Sequence, residues 1–553
     1  MFSNFNHFND KLLFLKAQEY TWPCNCNFFN IIFFNIFISV IICLIHFLIY
    51  PFQISLHPDT TGSIEAAESF IEEGKLLQPF EWTYIFERKG KLTMPRDGKI
   101  INLNNDDRVG VNWYPPGYSL LIALGLAIGF TTAETASICF YACMFLSINI
   151  WLLWAVRVKI PISIIIISVC TYLKTAPATI TDPFGYFFAA LIMFLSTFRL
   201  TPITLLAGGI AAAIAVQFRH AAIFLPITWF FMCIYRCNSR PQLFWLIVSC
   251  IVGIFTDLLS KLLRSGSVDV MGNVWDGQFP SLVEITKASY YAVNGGWSPS
   301  SYGLKFISLF LCLATIFYLL DRYKKKQISR WEIDLVIMQV GTLIVLCGAQ
   351  YKYGADFTKA PIAIARYWHY VTPGIVCLQV ISFGWLMFKI SRRTLFHYIP
   401  KLCCSFFFFI VVFELILENR TKLFKFKQSP DGFSRSELFE SVHEQLRNID
   451  LLATLTDSHQ FTFTSVDPKK HKNIFYMEGF FSLKSGNIAL VTTGSKRGEI
   501  ARATCMTELT LLRDTEIFPE TVHVTLFKLS ANEVVYFPKT SAENELILIQ
   551  NPK

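Results

Sequence analysis

Long apolar blocks separated by short polar segments dominate the first three quarters of the chain. A helix that spans a bilayer needs about 20 mostly apolar residues, and several blocks reach that length. The blocks predict about eleven spans, at residues 28–50, 134–155, 160–178, 184–198, 202–217, 220–235, 241–263, 303–320, 333–349, 363–388 and 398–417. The two shortest, at 184–198 and 202–217, are expected to be longer than the apolar pattern or to lie where the bilayer is thin.

Basic residues between the blocks predict the orientation, because cytoplasmic loops are rich in Lys and Arg. The clearest such loop is "DRYKKKQISR" at 321–330. Counting spans outward from it puts the N-terminal residues 1–27 inside and the first loop, 51–133, outside. The apolar stretch 118–130 in that loop is too short to cross, and its crossing would reverse every later loop. It is therefore predicted to lie at the outer interface or to re-enter the membrane from outside.

The chain changes character after about residue 417, where the apolar blocks end. "SRSELFESVHEQLRNI" at 434–449 has apolar residues at helical spacing. Strand-like runs follow: "HQFTFTSV", "NIALVTT", "VHVTLFKL", "NEVVYF" and "NELILIQ". The fold class expected is a polytopic α-helical membrane protein, with a transmembrane domain at 28–417 and a small extracytoplasmic α+β domain at 418–553.

Composition agrees with a membrane protein and argues against a nucleic-acid partner. The chain is 53% hydrophobic and 16% charged, whereas soluble domains average about 25% charged residues. Its net charge of +9 is explained by basic cytoplasmic loops, and no pattern of a nucleic-acid module is evident. Most of the 15 cysteines lie in apolar blocks, where cysteine behaves as a small hydrophobe.

The predicted topology gathers polar residues from distant parts of the chain on the outer face. They are Asp59, Lys174, Asp182, Arg219, His220, Arg366 and His369. Ionisable groups at membrane depth are costly and often functional, but each has an ordinary explanation too. Asp182 is a plausible helix N-cap, Lys174 could reach the interface with its long stem, and Arg219 with His220 could form a polar turn. Arg366 is the hardest to explain in this way, because apolar residues flank it on both sides.

Several segments together resemble a known family. "PDTTGSIEAAESFIEEGKL" followed by "NWYPPGYSLLIALGLAIG" resembles the first outer loop of the GT-C glycosyltransferases. "ITDPFGYFFAALIMFL", "GGIAAAIAVQFRHAAIFLP" and "ARYWHYVTP" resemble later motifs of the same enzymes, in the same order. The nearest group is that of the protein O-mannosyltransferases and aminoarabinose transferases, and the similarity covers about residues 30–390. Two positions depart from the pattern: Thr60 follows Asp59 where many relatives have glutamate, and Ser63 replaces a common tyrosine.

The resemblance implies a GT-C-like fold and transfer of a sugar from a polyprenyl-phosphate donor to a lipid, glycan or protein acceptor. The catalytic residues that it implies are Asp59, as general base, and Asp182, which would position the acceptor or hold a basic residue or a metal. The implied phosphate ligands are Arg366, Arg219 and Lys174, and the candidate substrate contacts are His220, Tyr367, His369 and Tyr114. No cofactor is expected. A divalent cation is an open alternative that one carboxylate per loop does not favour.

Two other functions stay open at this stage. A transporter or flippase of lipid-linked sugars would also carry charges, but near the midplane and often in repeated halves, and no repeat is evident. A non-catalytic assembly protein is the other alternative. The expected location is a bacterial cytoplasmic (inner) membrane with the site on its outer face, or the membrane of the endoplasmic reticulum in a eukaryote.

Overall fold

The computed structural model describes most of the helical region and separate pieces of the C-terminal region. The described residues are 28–49, 58–79, 101–102, 108–110, 115–174, 182–265, 279–296, 302–353, 365–390, 405, 445–446, 449, 451–456, 472–475, 479–482, 486–493, 502–503, 506, 509–517, 522–529, 533–537 and 547–550.

The described α-helices are α1 (Phe28–Ile49), α2 (Pro58–Glu73), α3 (Pro116–Ala127), α4 (Thr132–Val158), α5 (Ile162–Val169), α6 (Asp182–Leu195), α7 (Pro202–Phe218), α8 (Phe224–Ile234), α9 (Arg240–Ser265), α10 (Leu282–Asn294), α11 (Tyr302–Lys324), α12 (Arg330–Tyr353) and α13 (Thr372–Ile390). Three 3-10 helices, at Cys170–Lys174, His220–Ile223 and Ala365–Val371, extend α5 and precede α8 and α13.

Five of these helices contain stretches long and apolar enough to cross a membrane. They are Phe29–Leu48, Glu134–Val158, Lys305–Lys324, Arg330–Gly348 and Trp368–Lys389. The described part of the chain is therefore mostly helical and compatible with a membrane protein. The apolar parts of α3 and α5 to α9 are shorter, so the number of eleven spans stays a prediction. The predicted span at 398–417 lies outside the described residues, apart from residue 405.

Local sequence explains where the helices begin and end. Thr131 caps α4 in a capping box with Glu134, whose carboxylate accepts the Thr131 backbone N–H at 2.8 Å. The helix ends at Val158, and the next residue, Lys159, is left-handed with φ 62°. Pro116 and Pro202 begin α3 and α7, at positions where a missing N–H costs no hydrogen bond.

Polar contacts identify the helix ends that meet at one side of the bundle. Arg157, in the last turn of α4, donates from Nε to the Thr197 hydroxyl at 2.8 Å. Arg236, just after α8, donates to the carbonyl oxygens of Ser196 and Phe198 at 2.9 and 2.6 Å. Arg330, which begins α12, donates to Phe198 at 3.2 Å. We call this side the basic end, and the opposite side, where α6 begins and α7 ends, the Asp182 end.

Helix α3 lies across the Asp182 end. Gly117 is so close to the Gln217 backbone, at the end of α7, that an added Cβ would be 2.6 Å from its oxygen. Near the other end of α3, Gly125 is in equally close contact with Thr135, at the start of α4. Both ends of α3 therefore contact the same side of the bundle. At about 1.5 Å per residue, its 12 residues are also too short to span a membrane.

The described strands form three sheets. The largest has the order β5–β4–β7–β9–β8, comprising β4 (Leu451–Thr456), β5 (Lys472–Phe475), β7 (Gly486–Thr493), β8 (Thr510–Ile517) and β9 (Val522–Leu529). Its buried side holds Ala489, Val491, Val522 and Val524, which pack against Leu446. Of the strand-like runs in the sequence, "HQFTFTSV" lies outside the described residues, as does most of the predicted helix at 434–449. The other four runs form strands, whereas β4, β5 and β8 of this sheet were not predicted.

A second sheet joins the C-terminal region to the first loop. Its order is β11–β10–β6–β2, with β11 (Ile547–Gln550), β10 (Glu533–Phe537), β6 (Gly479–Ser482) and β2 (Ile101–Asn102). The pairing of β2 with β6 is parallel and sets Ile101 opposite Phe481. Strands β1 (Leu77–Pro79) and β3 (Arg108–Gly110) form a separate antiparallel pair in the first loop. The two regions therefore meet, while the side of the membrane on which they lie stays a prediction.

Candidate functional site

An ion pair between Asp182 and Arg219 forms the centre of the candidate site. Asp182 is the first residue of α6 and Arg219 follows the last residue of α7, so the two side chains meet at the same end of neighbouring helices. Arg219 Nη1 lies 2.5 Å from Asp182 Oδ1, with side-chain exposures of 10% and 1%. The two groups form an ion pair, but their geometry at Oδ1 is not that of a hydrogen bond. Of the roles that the sequence left open for Asp182, this geometry supports holding a basic residue.

Aromatic side chains enclose the pair. The rings of Phe184 and Phe218, each within two residues of one member of the pair, are stacked with centroids 4.2 Å apart. Tyr118 of α3 contacts Phe184 edge-on, at 6.1 Å. This packing removes the two charges from solvent, and charges attract each other more strongly where the local dielectric constant is low.

The 3-10 helix Ala365–Val371 reaches the same site through α6. Tyr186, one turn after Asp182, contacts the ring of Tyr370 at 5.7 Å and that of His369 at 6.5 Å. Gly185 allows this approach, because an added Cβ would clash with the Tyr370 ring. The structure therefore brings together three of the residues predicted from the sequence, Asp182, Arg219 and His369, through Tyr186.

For the other predicted site residues the structure gives the backbone position but not the side chain, except Tyr114, which lies outside the described residues. Asp59 is the second residue of α2, which packs against α3. Lys174 ends a 3-10 helix next to α1, and His220 begins another directly after Arg219. Arg366 and Tyr367 belong to the 3-10 helix that contains His369.

A small cavity lies beside the ion pair. It is lined by Phe140, Met144, Ser147, Tyr172, Pro183 and Tyr186. Its interior has room for about one water molecule. A sugar ring does not fit there.

No group of three His, Cys, Asp or Glu side chains that could hold a metal ion is found within the described ranges. Those ranges exclude the side chain of Asp59. The geometry around Asp182 offers one carboxylate, which is already in contact with a guanidinium.

Sequence reasoning missed the buried polar network at the basic end. Asp334 of α12 accepts hydrogen bonds from the hydroxyls of Ser196 and Tyr235, at 2.9 and 3.0 Å. Glu332, on the same helix, accepts from the Tyr318 hydroxyl at 2.7 Å. Both acidic residues are almost fully buried. Their position in "RWEIDL", at the start of a predicted span, could have indicated buried partners. Carboxylates at membrane depth are costly unless they are paired.

Comparison of the chain with known protein families and with curated protein sequences finds no match.

Proposed function

We propose that the protein is a membrane glycosyltransferase that moves a sugar from a polyprenyl-phosphate donor to an acceptor hydroxyl. The observation that carries the proposal is the buried Asp182–Arg219 ion pair at the ends of apolar helices. Removing two charges from water is expensive, and a purely structural turn could use neutral polar groups instead. The order of the GT-C-like motifs along residues 30–390 supports the same function.

The proposed reaction needs one base and several positive charges. The acceptor oxygen attacks the anomeric carbon of the sugar, and the bond from that carbon to the phosphate oxygen breaks. The phosphate leaves with the electron pair, and the proton of the acceptor hydroxyl goes to a carboxylate, for which we propose Asp59. Attack opposite the leaving group inverts the anomeric centre. A general base typically contributes about 10²–10⁴ in rate.

Cationic side chains would stabilise the departing phosphate. Arg366 is the proposed main ligand, because guanidinium groups bind phosphate oxygens in pairs, with Lys174 adding a point charge. Arg219 is proposed to contribute through its position beside the site, held by Asp182. Charge stabilisation of this kind is worth several kcal/mol in a site that excludes water.

The remaining candidate contacts would bind the sugar or the acceptor. His220 and Tyr367 each adjoin a proposed phosphate ligand in the chain, and Tyr114 precedes α3. His369 contacts the Gly296 carbonyl oxygen through Nε2 at 2.9 Å, and it is proposed as a substrate contact because it lies in the same 3-10 helix as Arg366.

The experiment that tests the proposal has two stages. Lipid-linked sugars and surface glycans of cells with and without the protein are compared by mass spectrometry, which identifies the donor. The purified protein in nanodiscs is then given that donor, and release of polyprenyl phosphate is measured. A glycosyltransferase releases it, whereas a transporter or an assembly protein leaves the donor intact. An intact donor in the presence of every acceptor lost from the deficient cells would overturn the proposal.

A further inference from the structure

Helix α10 runs alongside α11 in the same direction. The Tyr290 hydroxyl donates to the Ser308 hydroxyl at 3.0 Å. One turn later on both helices, the Cys312 thiol donates to Asn294 Oδ1 at 3.1 Å. Since α11 begins at Tyr302 and contains a candidate span, α10 advances into the bundle with it. At 1.5 Å per residue, Cys312 lies about 15 Å from the start of α11.

The chain reverses direction immediately after α10. Gly295 and Gly296 have φ values of 59° and 73°, a left-handed conformation that glycine adopts without steric cost. Gln379 donates to the Val293 carbonyl oxygen at 3.1 Å, whereas His369 contacts that of Gly296. From Val293 to Gly296 the chain thus moves back along α13 toward its first residue.

Buried oxygen atoms at this turn accept hydrogen bonds, whereas Asn294 Nδ2 and Gln379 Oε1 have no hydrogen-bond partner within the described residues. Asn294 Oδ1 accepts a hydrogen bond from Gln379 at 2.7 Å, and the Gly295 carbonyl oxygen accepts one from the Thr372 hydroxyl at 2.5 Å. Gly295, Gly296 and Asn294 are all buried. Irregular backbone is tolerated at membrane depth only where it is enclosed by protein or lines water, and this turn meets the first condition.

The first residues of the segment are apolar and exposed. At its start, Phe279, Leu282 and Val283 are 74%, 79% and 78% exposed. Farther along, Ala288 is fully buried against Leu346 and Trp368, whereas its neighbours Lys287 and Ser289 are exposed on the outer face of the helix. A cluster of three exposed large apolar side chains is unfavourable in water but favourable in contact with lipid.

The neighbouring surface of the bundle has the same character. Phe306 and Phe310 of α11, the helix bonded to α10, are 75% and 46% exposed, and Ile344 of α12 is 54% exposed. Both helices contain candidate membrane spans. The apolar start of α10 therefore continues a surface that faces the hydrocarbon region.

We propose that residues 279–296 form a re-entrant membrane segment. It enters from the Asp182 end of the bundle, descends along α11, reverses at Gly295–Gly296 and returns to the same end. Its first turn contacts the acyl chains of that leaflet. Because His369 belongs to the same 3-10 helix as Arg366, the reversal also fixes the backbone of the proposed phosphate ligand. That consequence rests on the proposed function, whereas the membrane placement does not.

Spin labels in nanodiscs test the placement without any assay of activity. In a cysteine-poor background, single labels are attached at Val283, at Phe310 as a lipid-facing reference and at Lys325, just beyond the end of α11, as an aqueous reference. Collision with oxygen, which concentrates in lipid, and with a water-soluble nickel chelate is measured by power saturation. We expect the label at Val283 to match the label at Phe310, with several-fold greater oxygen accessibility relative to nickel than at Lys325.

A label at Val283 with the nickel accessibility of the label at Lys325 would overturn the proposal, since α10 would then be an ordinary helix in water. Leu282, on the same exposed turn, provides a second site if the Val283→Cys variant is poorly expressed. Ser289, which is exposed farther along α10, serves as the matched control. Its label should be at least as protected from nickel as that at Val283 if the helix descends into the membrane, and less protected if the helix lies on the surface.

Discussion

Asp182 and Arg219 are joined across the α6–α7 pair, each at the point where its helix begins or ends. A carboxylate at a helix N-terminus is stabilised by the helix dipole, and the guanidinium adds an opposite charge. Asp182 is thus committed to Arg219 and is poorly placed to act as a free proton acceptor. This is why the proposed base is Asp59 and the proposed role of Asp182 is to position Arg219.

Removing one member of the pair should destabilise the fold more than removing both. Asp182→Asn leaves the buried guanidinium without this carboxylate, and loss of one partner from a buried pair costs about 3–5 kcal/mol. We expect the same order of loss for Arg219→Gln. The double variant, which contains neither charge, should be more stable than either single variant. Unfolding by SDS titration in mixed micelles gives the three free energies, and strictly additive losses would show that the charges do not interact.

The basic end should depend on Arg236. Its guanidinium donates to two carbonyl oxygens that follow α6, at 2.9 and 2.6 Å, and hydrogen bonds from charged groups contribute about 1.5–3 kcal/mol. Arg236→Ala should therefore lower the midpoint of thermal unfolding in detergent. Arg240→Ala is the matched control, because Arg240 is exposed at the same end of the bundle. Equal shifts for the two variants would mean that the contacts to α6 contribute nothing specific.

The sequence predicted where the long helices lie better than it predicted how the helices pack against one another. Apolar blocks identify α1, α4, α11 and α12 directly, because long apolar runs have few other uses. The pairing of Asp182 with Arg219 was open, because the sequence places both near the outer face but does not give the packing of α6 against α7. Helix α10 was missed for a physical reason: polar residues such as Glu284 and Lys287 interrupt its apolar pattern, and it is too short to be recognised as a span.

The placement of α3 can be tested by asking on which side of the membrane each of its two ends lies. Because Gly117 and Gly125 contact the same end of the bundle, reporter fusions just before Tyr118 and just after Phe130 should report the same side of the membrane. Fusions within "KKK" at 324–326 provide the reference for the cytoplasmic side. Opposite results at the two flanks of α3 would mean that it crosses, and the predicted orientation of every later loop would then have to be reversed.

Stability should depend on pH through Glu68 of α2. The pKa of its carboxyl is raised from 4.5 to about 8, mainly by burial and in part by the nearby charge of Glu72. Between these values the folded state holds a proton that the unfolded chain has released, so stability falls as pH increases from about 4.5 to 8. Glu68→Gln should remove that part of the decline in unfolding temperature between pH 5 and pH 8.

The variant Glu72→Gln checks the cause of the shift. It removes the like charge but leaves the burial, so it should reduce the decline only in part. If the unfolding temperature of Glu68→Gln fell with pH as steeply as that of the unmodified protein, Glu68 would not be the group responsible.

Two variants distinguish the proposed base from the proposed phosphate ligand by their effects on turnover and on donor binding. Asp59→Asn keeps the shape of the side chain but removes the proton acceptor, so turnover should fall by about 10² or more while donor binding changes little. Arg366→Ala should weaken donor binding as well, because the phosphate is charged in both the ground state and the transition state. Both are measured with the identified donor in nanodiscs, as kcat for transfer and as Kd for the donor.

Glu72→Gln, on the same helix as Asp59, is the control and should retain normal turnover. Transfer at the normal rate by Asp59→Asn would exclude Asp59 as the base, and Asp182 would become the candidate despite its contact with Arg219.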